Sequence, residues 1–246
     1  MKNLFVPLTL GLLCTSFATI PAEKTANRDS YIAAVTSTLS TDSSDIKNDL
    51  SSQLYHNCDL ASVGLSRQAF DYAWKGYNYL LERNKITRSA YLTICDFSQS
   101  SKRKRLYIID IASQKLVINT WVAHGKNSGE EYANQFSNRP ESLQSSLGFY
   151  VTANTYIGEH GLSLRINGVD PGFNDKALER SIVIHGAGYV NGERAKSGMY
   201  MGRSWGCPAV PQQEVTNIIT TIKNGTCLFI YHPSKSYLNR SKILNG

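Results

Sequence analysis

From residue 91 onward the sequence breaks into short runs in which β-branched and aromatic residues recur at alternate positions, and this period-two pattern restricts the chain to a mostly β architecture. "YLTICDF" (91–97) and "RLYIIDI" (105–111) read as strands, "ASQK" (112–115) as a turn, and "LVINTWVAHG" (116–125) as the returning arm of a hairpin. "LGFYVTAN", "SLRING", "SIVIHG" and "TCLFIY" follow, separated by Gly, Asn, Asp and Pro. One helix interrupts them. Pro211 is placed to set its first turn, Val215, Ile218, Ile219 and Ile222 form its buried face, and Gly225 closes it. No internal repeat is evident.

Ahead of the strands the period is helical. Ser66 caps a helix whose Phe70, Ala73, Tyr77, Leu80 and Leu81 recur at spacings of three and four, which makes a packing stripe. Residues 23 to about 60 are rich in Ser, Thr and Asp and read as a loose lead-in or short helices. The division expected is therefore a leader (1–22), a helical or irregular N-terminal region (23–100), a mainly β domain (101–234) and a tail (235–246). "SKRKR" (101–105) reads as a solvated connector.

The first residues, "MKNLFVPLTLGLLCTSFATIPA", carry Lys2, an apolar run to about Leu13, and the small residues Ser16 and Ala18, the pattern of a secretory signal peptide. The apolar run falls short of the ~20 residues of a spanning helix, and bulky Leu13 before Cys14 argues against a lipid-modified cysteine. An exported protein of the periplasm or cell envelope is expected, with no membrane span after cleavage. The formal charge of +7 suits an anionic surface or ordinary solubility equally well. No basic stripe interleaved with aromatics points to nucleic acid. The sequence does not define an oligomeric state.

Four cysteines remain beyond the leader: Cys58, Cys95, Cys207 and Cys227. In an oxidising compartment they allow three full pairings, and Cys58 with Cys95 is a conceivable disulfide. Cys227, in an apolar strand, reads as a buried thiol. Their spacing does not match a structural zinc site, and none of the histidines has H-E-x-x-H spacing, so a metal site is not expected.

Cys207 stands in "GRSWGCPAV" (202–210), at the end of a loop with Gly186, Gly188, Gly192, Gly198, Gly202 and Gly206. Such a loop permits close backbone approach to a ligand. His185-Gly186 comes where the buried run Ile182-Val183-Ile184 ends, and strand ends place side chains at rims. Taken alone, a histidine there is more often structural. A cysteine nucleophile, however, needs a thiolate, and a nearby imidazole or helix N-terminus lowers its pKa. His185 supplies the first, and the helix near Pro211 adds a weaker field, although Pro208 removes one backbone donor. Gly206 lets successive N–H groups, including that of Cys207, converge on a developing oxyanion. His124-Gly125 ends a strand in the same way, either lining the cleft or, as the better reading, lying on the surface. His160 touches a substrate only if its loop folds over the site, and Tyr150 and Tyr156 read as packing or cleft-wall aromatics.

"IHG" followed by "SWGCPAV" resembles the L,D-transpeptidase catalytic domain, whose usual signature is His-Gly at a strand end and then Ser/Thr-His-Gly-Cys-x-Arg. The match is to a divergent branch in which the second motif reads Gly-Arg-Ser-x-Gly-Cys-Pro-Ala. "LYIIDIASQKLVINTWVAHG", "SSLGFY" (145–150) and "GLSLRINGVDPGFND" (161–175) agree, so the resemblance spans about residues 103–232. It implies a mainly β, sandwich-like domain with a few helices, acting on peptidoglycan stem peptides without metal or cofactor. It implies Cys207 as nucleophile, His185 as general base, and the Gly186 carbonyl as a group that orients the imidazole. It further implies a thioester formed with loss of D-Ala and resolved by an amine, or by water in an L,D-carboxypeptidase.

Two positions depart from the usual signature. Trp205 replaces the second histidine and cannot accept a proton, and Pro208-Ala209 replaces the segment that ends in arginine. Binding of substrate carboxylates is then expected from Arg203 or, second, Arg165, each equally readable as an exposed charge. Ser204, Trp205 and His124 complete the expected substrate-binding set. The alternatives to an exported transpeptidase are another cysteine peptidase on the same scaffold and a wall-binding domain without chemistry.

Overall fold

A computed structural model describes residues 43–246. The expected leader and the first part of the lead-in lie outside the described residues. The described residues, 43–246, belong to one compact unit. Its strands are β1 (Tyr91–Asp96), β2 (Leu106–Asp110), β3 (Lys115–Thr120), β4 (Gly148–Gly158), β5 (Gly161–Gly168), β6 (Val183–Ala187), β7 (Ala209–Pro211) and β8 (Cys227–Tyr231). They make one eight-stranded sheet in the order β3-β2-β1-β8-β4-β5-β6-β7. The segment after β3 bridges β7 through Ala123 and Ala209, so the two edges of the sheet meet and the sheet curls into a near-barrel. That closure covers edges which would otherwise expose unpaired backbone. The mainly β fold with few helices is thus the one found.

Helix α1 (Ser43–Asn57) and helix α2 (Arg67–Glu82) precede the sheet. Ser66 caps α2 by accepting from the Ala69 N–H at 3.1 Å. Phe70, Ala73, Trp74, Tyr77 and Leu80 form the buried stripe, whereas Leu81, expected in it, is exposed because it lies off that face. Gly76 lets α2 approach the sheet: a Cβ there would fall 1.9 Å from the Phe149 ring. Phe149 and Phe229, paired across β4 and β8, stack at 4.1 Å beneath it. One hydrophobic core includes Leu54 of α1, β1 and the final residues, so it is continuous across the 100/101 boundary.

Helix α3 (Gly192–Lys196) lies in the loop before Cys207, and α4 (Val215–Ile222) buries the four apolar residues expected of it. Pro211 does not open α4. It ends β7, and a turn separates it from the helix, because Ala209 and Val210 are drawn into the parallel pairing with β6. Residues 235–245 form α5 (Lys235–Arg240) and α6 (Lys242–Asn245), held by the buried Asp170 carboxylate, which accepts from Tyr237 Oη at 2.7 Å and Ser241 Oγ at 2.8 Å. "SKRKR" is not a solvated connector, since Ser101 and Arg105 are fully buried. Among the described residues no helix is long and apolar enough to cross a membrane. The four cysteines among them are free thiols, so the conceivable Cys58–Cys95 pair is not formed. Burial raises the thiol of Cys58 to about 11 and that of Cys95 to about 12.

Candidate active site

The parallel pairing of β6 with β7 sets His185 opposite Ala209, and Cys207, just ahead of β7, comes to lie beside Val183 at the start of β6. The Val183 N–H donates to Cys207 Sγ at 3.5 Å, and Sγ in turn points at the Ser181 carbonyl, 3.7 Å away. Cys207 and His185 line one cleft of about 880 Å³. Burial raises the Cys207 thiol above its ordinary value, opposed by the Val183 N–H and by the Arg180 charge. At rest the site therefore holds a thiol rather than a thiolate, and its ionisation needs a base.

His185 is buried, and its Nδ1 lies 3.0 Å from the Gly186 carbonyl oxygen. A carbonyl only accepts, so Nδ1 carries the proton and Nε2 keeps its lone pair free. Burial, with a smaller contribution from His160, holds the imidazole below its ordinary pKa, although the Gly186 carbonyl pulls the other way. His185 is consequently neutral at neutral pH, the form required of a base. His160 reaches it from the tight turn between β4 and β5, where Gly158 pairs with Gly161, and the two imidazoles stack with centroids 4.3 Å apart. The loop thus does fold over the site. Tyr156 joins the cleft wall, whereas Tyr150 is fully buried.

The Cys207 loop is braced from within and from behind. Ser204 Oγ donates to the Cys207 carbonyl at 2.6 Å and accepts from the Gly206 N–H at 3.2 Å, so its hydroxyl is consumed inside the loop. Gly206 has φ of +120°, and a Cβ there would fall 2.8 Å from the Gln144 carbonyl oxygen, which leaves glycine as the residue that fits. With the Gly206 N–H engaged and Pro208 lacking one, the Cys207 N–H is the donor nearest the thiol for which no acceptor is found among the described residues.

The other expected residues separate. Arg203 and Trp205 line the cleft; Trp205 is 74% exposed at its rim, and the Arg203 guanidinium lies 5.7 Å from the centre of the Tyr189 ring. Arg165 instead lines an adjoining pocket of about 250 Å³, stacked over Tyr156 at 4.5 Å. The two spaces share Tyr156, Ser181 and Val183 as walls.

His124 is neither on the surface nor in the cleft. It is fully buried, with Nδ1 2.7 Å from Arg105 Nη2 and Nε2 3.2 Å from the Gly129 carbonyl oxygen. Burial and the Arg105 charge press it down to about 3. It acts from behind, because its own carbonyl accepts from the Ser204 N–H at 3.1 Å and its ring fills the space under Gly202. Arg180, at the end of the segment before β6, is the cleft residue that the motifs did not mark. No local pattern distinguishes it from the other surface-type arginines of a basic chain.

A model of the L,D-transpeptidase catalytic domain matches residues 61–231, and the chain belongs to that family. Among solved structures, an L,D-transpeptidase from Mycobacterium smegmatis is 10% identical, with a TM-score of 0.36 and 58% of this chain covering 59% of that one. The helical cell shape determining protein Pgp2 from Campylobacter jejuni is 14% identical, with a TM-score of 0.37 and coverage of 65% and 56%. An L,D-transpeptidase from Xylanimonas cellulosilytica is 13% identical, with a TM-score of 0.33 and coverage of 68% and 81%. The chain thus spans about three fifths of the length of the first two. No curated protein matches it in sequence.

Proposed function

We propose that this chain is an exported peptidoglycan L,D-transpeptidase that works through a Cys207/His185 pair. The observation that carries the reading is the tethered imidazole: Nδ1 is tied to the Gly186 carbonyl, Nε2 is free, and the same cleft contains the partly exposed thiol of Cys207, the other three cysteines among the described residues being buried. Membership of the family supplies the substrate class.

In this reading the Cys207 proton passes to His185 Nε2 as Sγ attacks the carbonyl carbon between the third residue of a stem tetrapeptide and its terminal D-Ala. The C–N bond breaks, the departing D-Ala amine takes the proton back from His185, and a thioester remains. An acceptor amine then attacks the thioester carbon and loses its proton to His185, and the thiol is restored. The Cys207 N–H faces the developing oxyanion. Arg203 and Trp205 contact the stem at the rim, and Arg165 serves the adjoining pocket. The leader read at residues 1–22 supports delivery to the cell envelope. If water replaces the amine, the same site trims tetrapeptides.

The test uses tetrapeptide muropeptides with the mature protein and its Cys207→Ala form, with products followed by mass. Crosslinked dimer formed only with intact Cys207 supports the transpeptidase, and loss of D-Ala alone assigns the trimming activity. Binding without turnover by either form refutes both and leaves a wall-binding domain.

A further inference from the structure

The cleft contains a guanidinium that meets no carboxylate. Arg180 Nη1 donates to the Ser137 carbonyl at 2.7 Å and to Ser146 Oγ, and Nη2 donates to Ser142 Oγ at 3.2 Å and to the Gln144 carbonyl at 2.6 Å. Every one of these acceptors is neutral. None of the ion pairs found among the described residues includes it. The side chain is half-buried, and burial alone lowers its pKa, so the charge is held in place at a cost in solvation. The ionisable groups whose negative forms reach it are Tyr150 and Cys207. Tyr150 is fully buried, with its phenol pushed far above the usual range, and it stays neutral. That leaves Cys207. The guanidinium also abuts the residue before the thiol, since a Cβ on Gly206 would fall 3.2 Å from Arg180 Nη2.

We propose that Arg180 is a positioning residue whose fixed positive charge is the counter-charge for the anionic form of Cys207. The proposal rests on the reading of Cys207 as the nucleophile and adds the source of its activation. The serine-rich segment 137–146 holds the guanidinium through its two terminal nitrogens, so the charge stays fixed in the cleft wall beside Gly206. The other titratable groups that line the cleft are His185, His160, Glu159, Tyr156, Tyr189 and Arg203, and none of the ion pairs found among the described residues joins Glu159 to Arg180. Tyr189 is itself raised by burial, while Arg203 lies over its ring rather than toward the thiol. His185 accepts the proton, and Arg180 makes the sulfur that gives it up more willing to do so.

The experiment measures carboxamidomethylation of Cys207 by iodoacetamide against pH, in which the thiolate displaces iodide and forms an S–C bond, with the modified peptide identified by mass. Because the other described cysteines are buried, the reagent reports on Cys207. In Arg180→Gln the midpoint of the profile is expected to rise by about one unit, which slows alkylation about tenfold below the midpoint. Arg180→Lys, which keeps the charge and loses the planar fork, is expected to stay within a few tenths of a unit of the wild type. Ser142→Ala removes one tether and leaves the charge, so it is expected to lower Tm with little movement of the midpoint. A folded Arg180→Gln protein with the wild-type midpoint overturns the proposal and leaves Arg180 a brace. If Arg180→Gln does not fold, Arg180→Met, which keeps an apolar stem and removes the charge, decides: a midpoint raised by about one unit supports the proposal, and a wild-type midpoint overturns it. Turnover by Cys207→Ala would instead refute the nucleophile reading, an outcome that the alkylation profile does not share.

Discussion

The chain contains two His-Gly dipeptides at the ends of strand-like runs, His124-Gly125 and His185-Gly186, and the fold gives them opposite chemistry. His185 keeps a free Nε2 in an open cleft, with a backbone carbonyl fixing its tautomer. His124 has both ring nitrogens engaged, by the Arg105 guanidinium and the Gly129 carbonyl, and it is fully buried. Both imidazoles are held neutral by burial. One is therefore a base with nothing to reach, and the other a base that shares its cleft with a thiol. The availability of a lone pair, and not the pKa, separates the proposed catalytic histidine from the structural one.

The comparison can be broken most directly at His185. Its replacement by Gln is expected to lower kcat/KM on muropeptides by about 10²–10⁴ while leaving Tm nearly unchanged, because the ring makes a single backbone hydrogen bond. Equal losses of activity and stability would place it with His124 instead. His124→Ala should show the reverse pattern in a denaturant titration, a loss of about 3 kcal/mol from the cavity and from the unpaired Arg105 and Gly129 groups. Gly202→Ala presses on the same ring, since its Cβ would fall 2.2 Å from His124 Nε2, and is expected to cost about 2 kcal/mol. The shift of the Cys207 loop should be visible as slower alkylation of the thiol.

The two histidines also differ in what pH reveals. His124 is held at about 3 in the folded chain, against an ordinary value of 6.5. Above 6.5 the ring is neutral in both folded and unfolded states and adds no pH dependence. As pH falls from 6.5 toward 3 the unfolded state alone takes up the proton, so stability falls by at most about 1.4 kcal/mol per unit. Denaturation curves across that range should lose this slope in His124→Ala. For His185 the readout is activity. Its depressed pKa places the acid limb of kcat/KM below the ordinary histidine value, and removing the stacked neighbour in His160→Ala should move that limb upward by a few tenths of a unit. An unmoved limb would reduce His160 to a cleft wall.

Much of this was legible in the sequence because it depends on neighbours along the chain. Alternating apolar residues marked the strands, the spacing from Ser66 to Leu80 marked a capped packing helix, and Cys207 with His185 stood out by motif. The errors arose where a distant segment supplied the deciding contact. Arg105 belonged to a basic run that looks solvated, yet its side chain turns inward to the carbonyls of Gln99 and Val122. Pro211 looked like a helix start, yet β6 recruits its neighbours into a strand. Ser204 looked like a substrate contact, yet its hydroxyl holds the Cys207 loop.

The sequence by itself determined a mainly β chain of this family and the identity of the pair that the proposed chemistry needs, since period, glycine content and motif are local properties. Only the tertiary structure decided which His-Gly shares a cleft with the thiol, which nitrogen is free, and which arginine abuts the Cys207 loop. Those are questions of burial and of partners drawn from other strands. The electrostatics of a site depends on what surrounds it in space, and neighbours in space are set by the closure of the sheet, which no short stretch of sequence encodes.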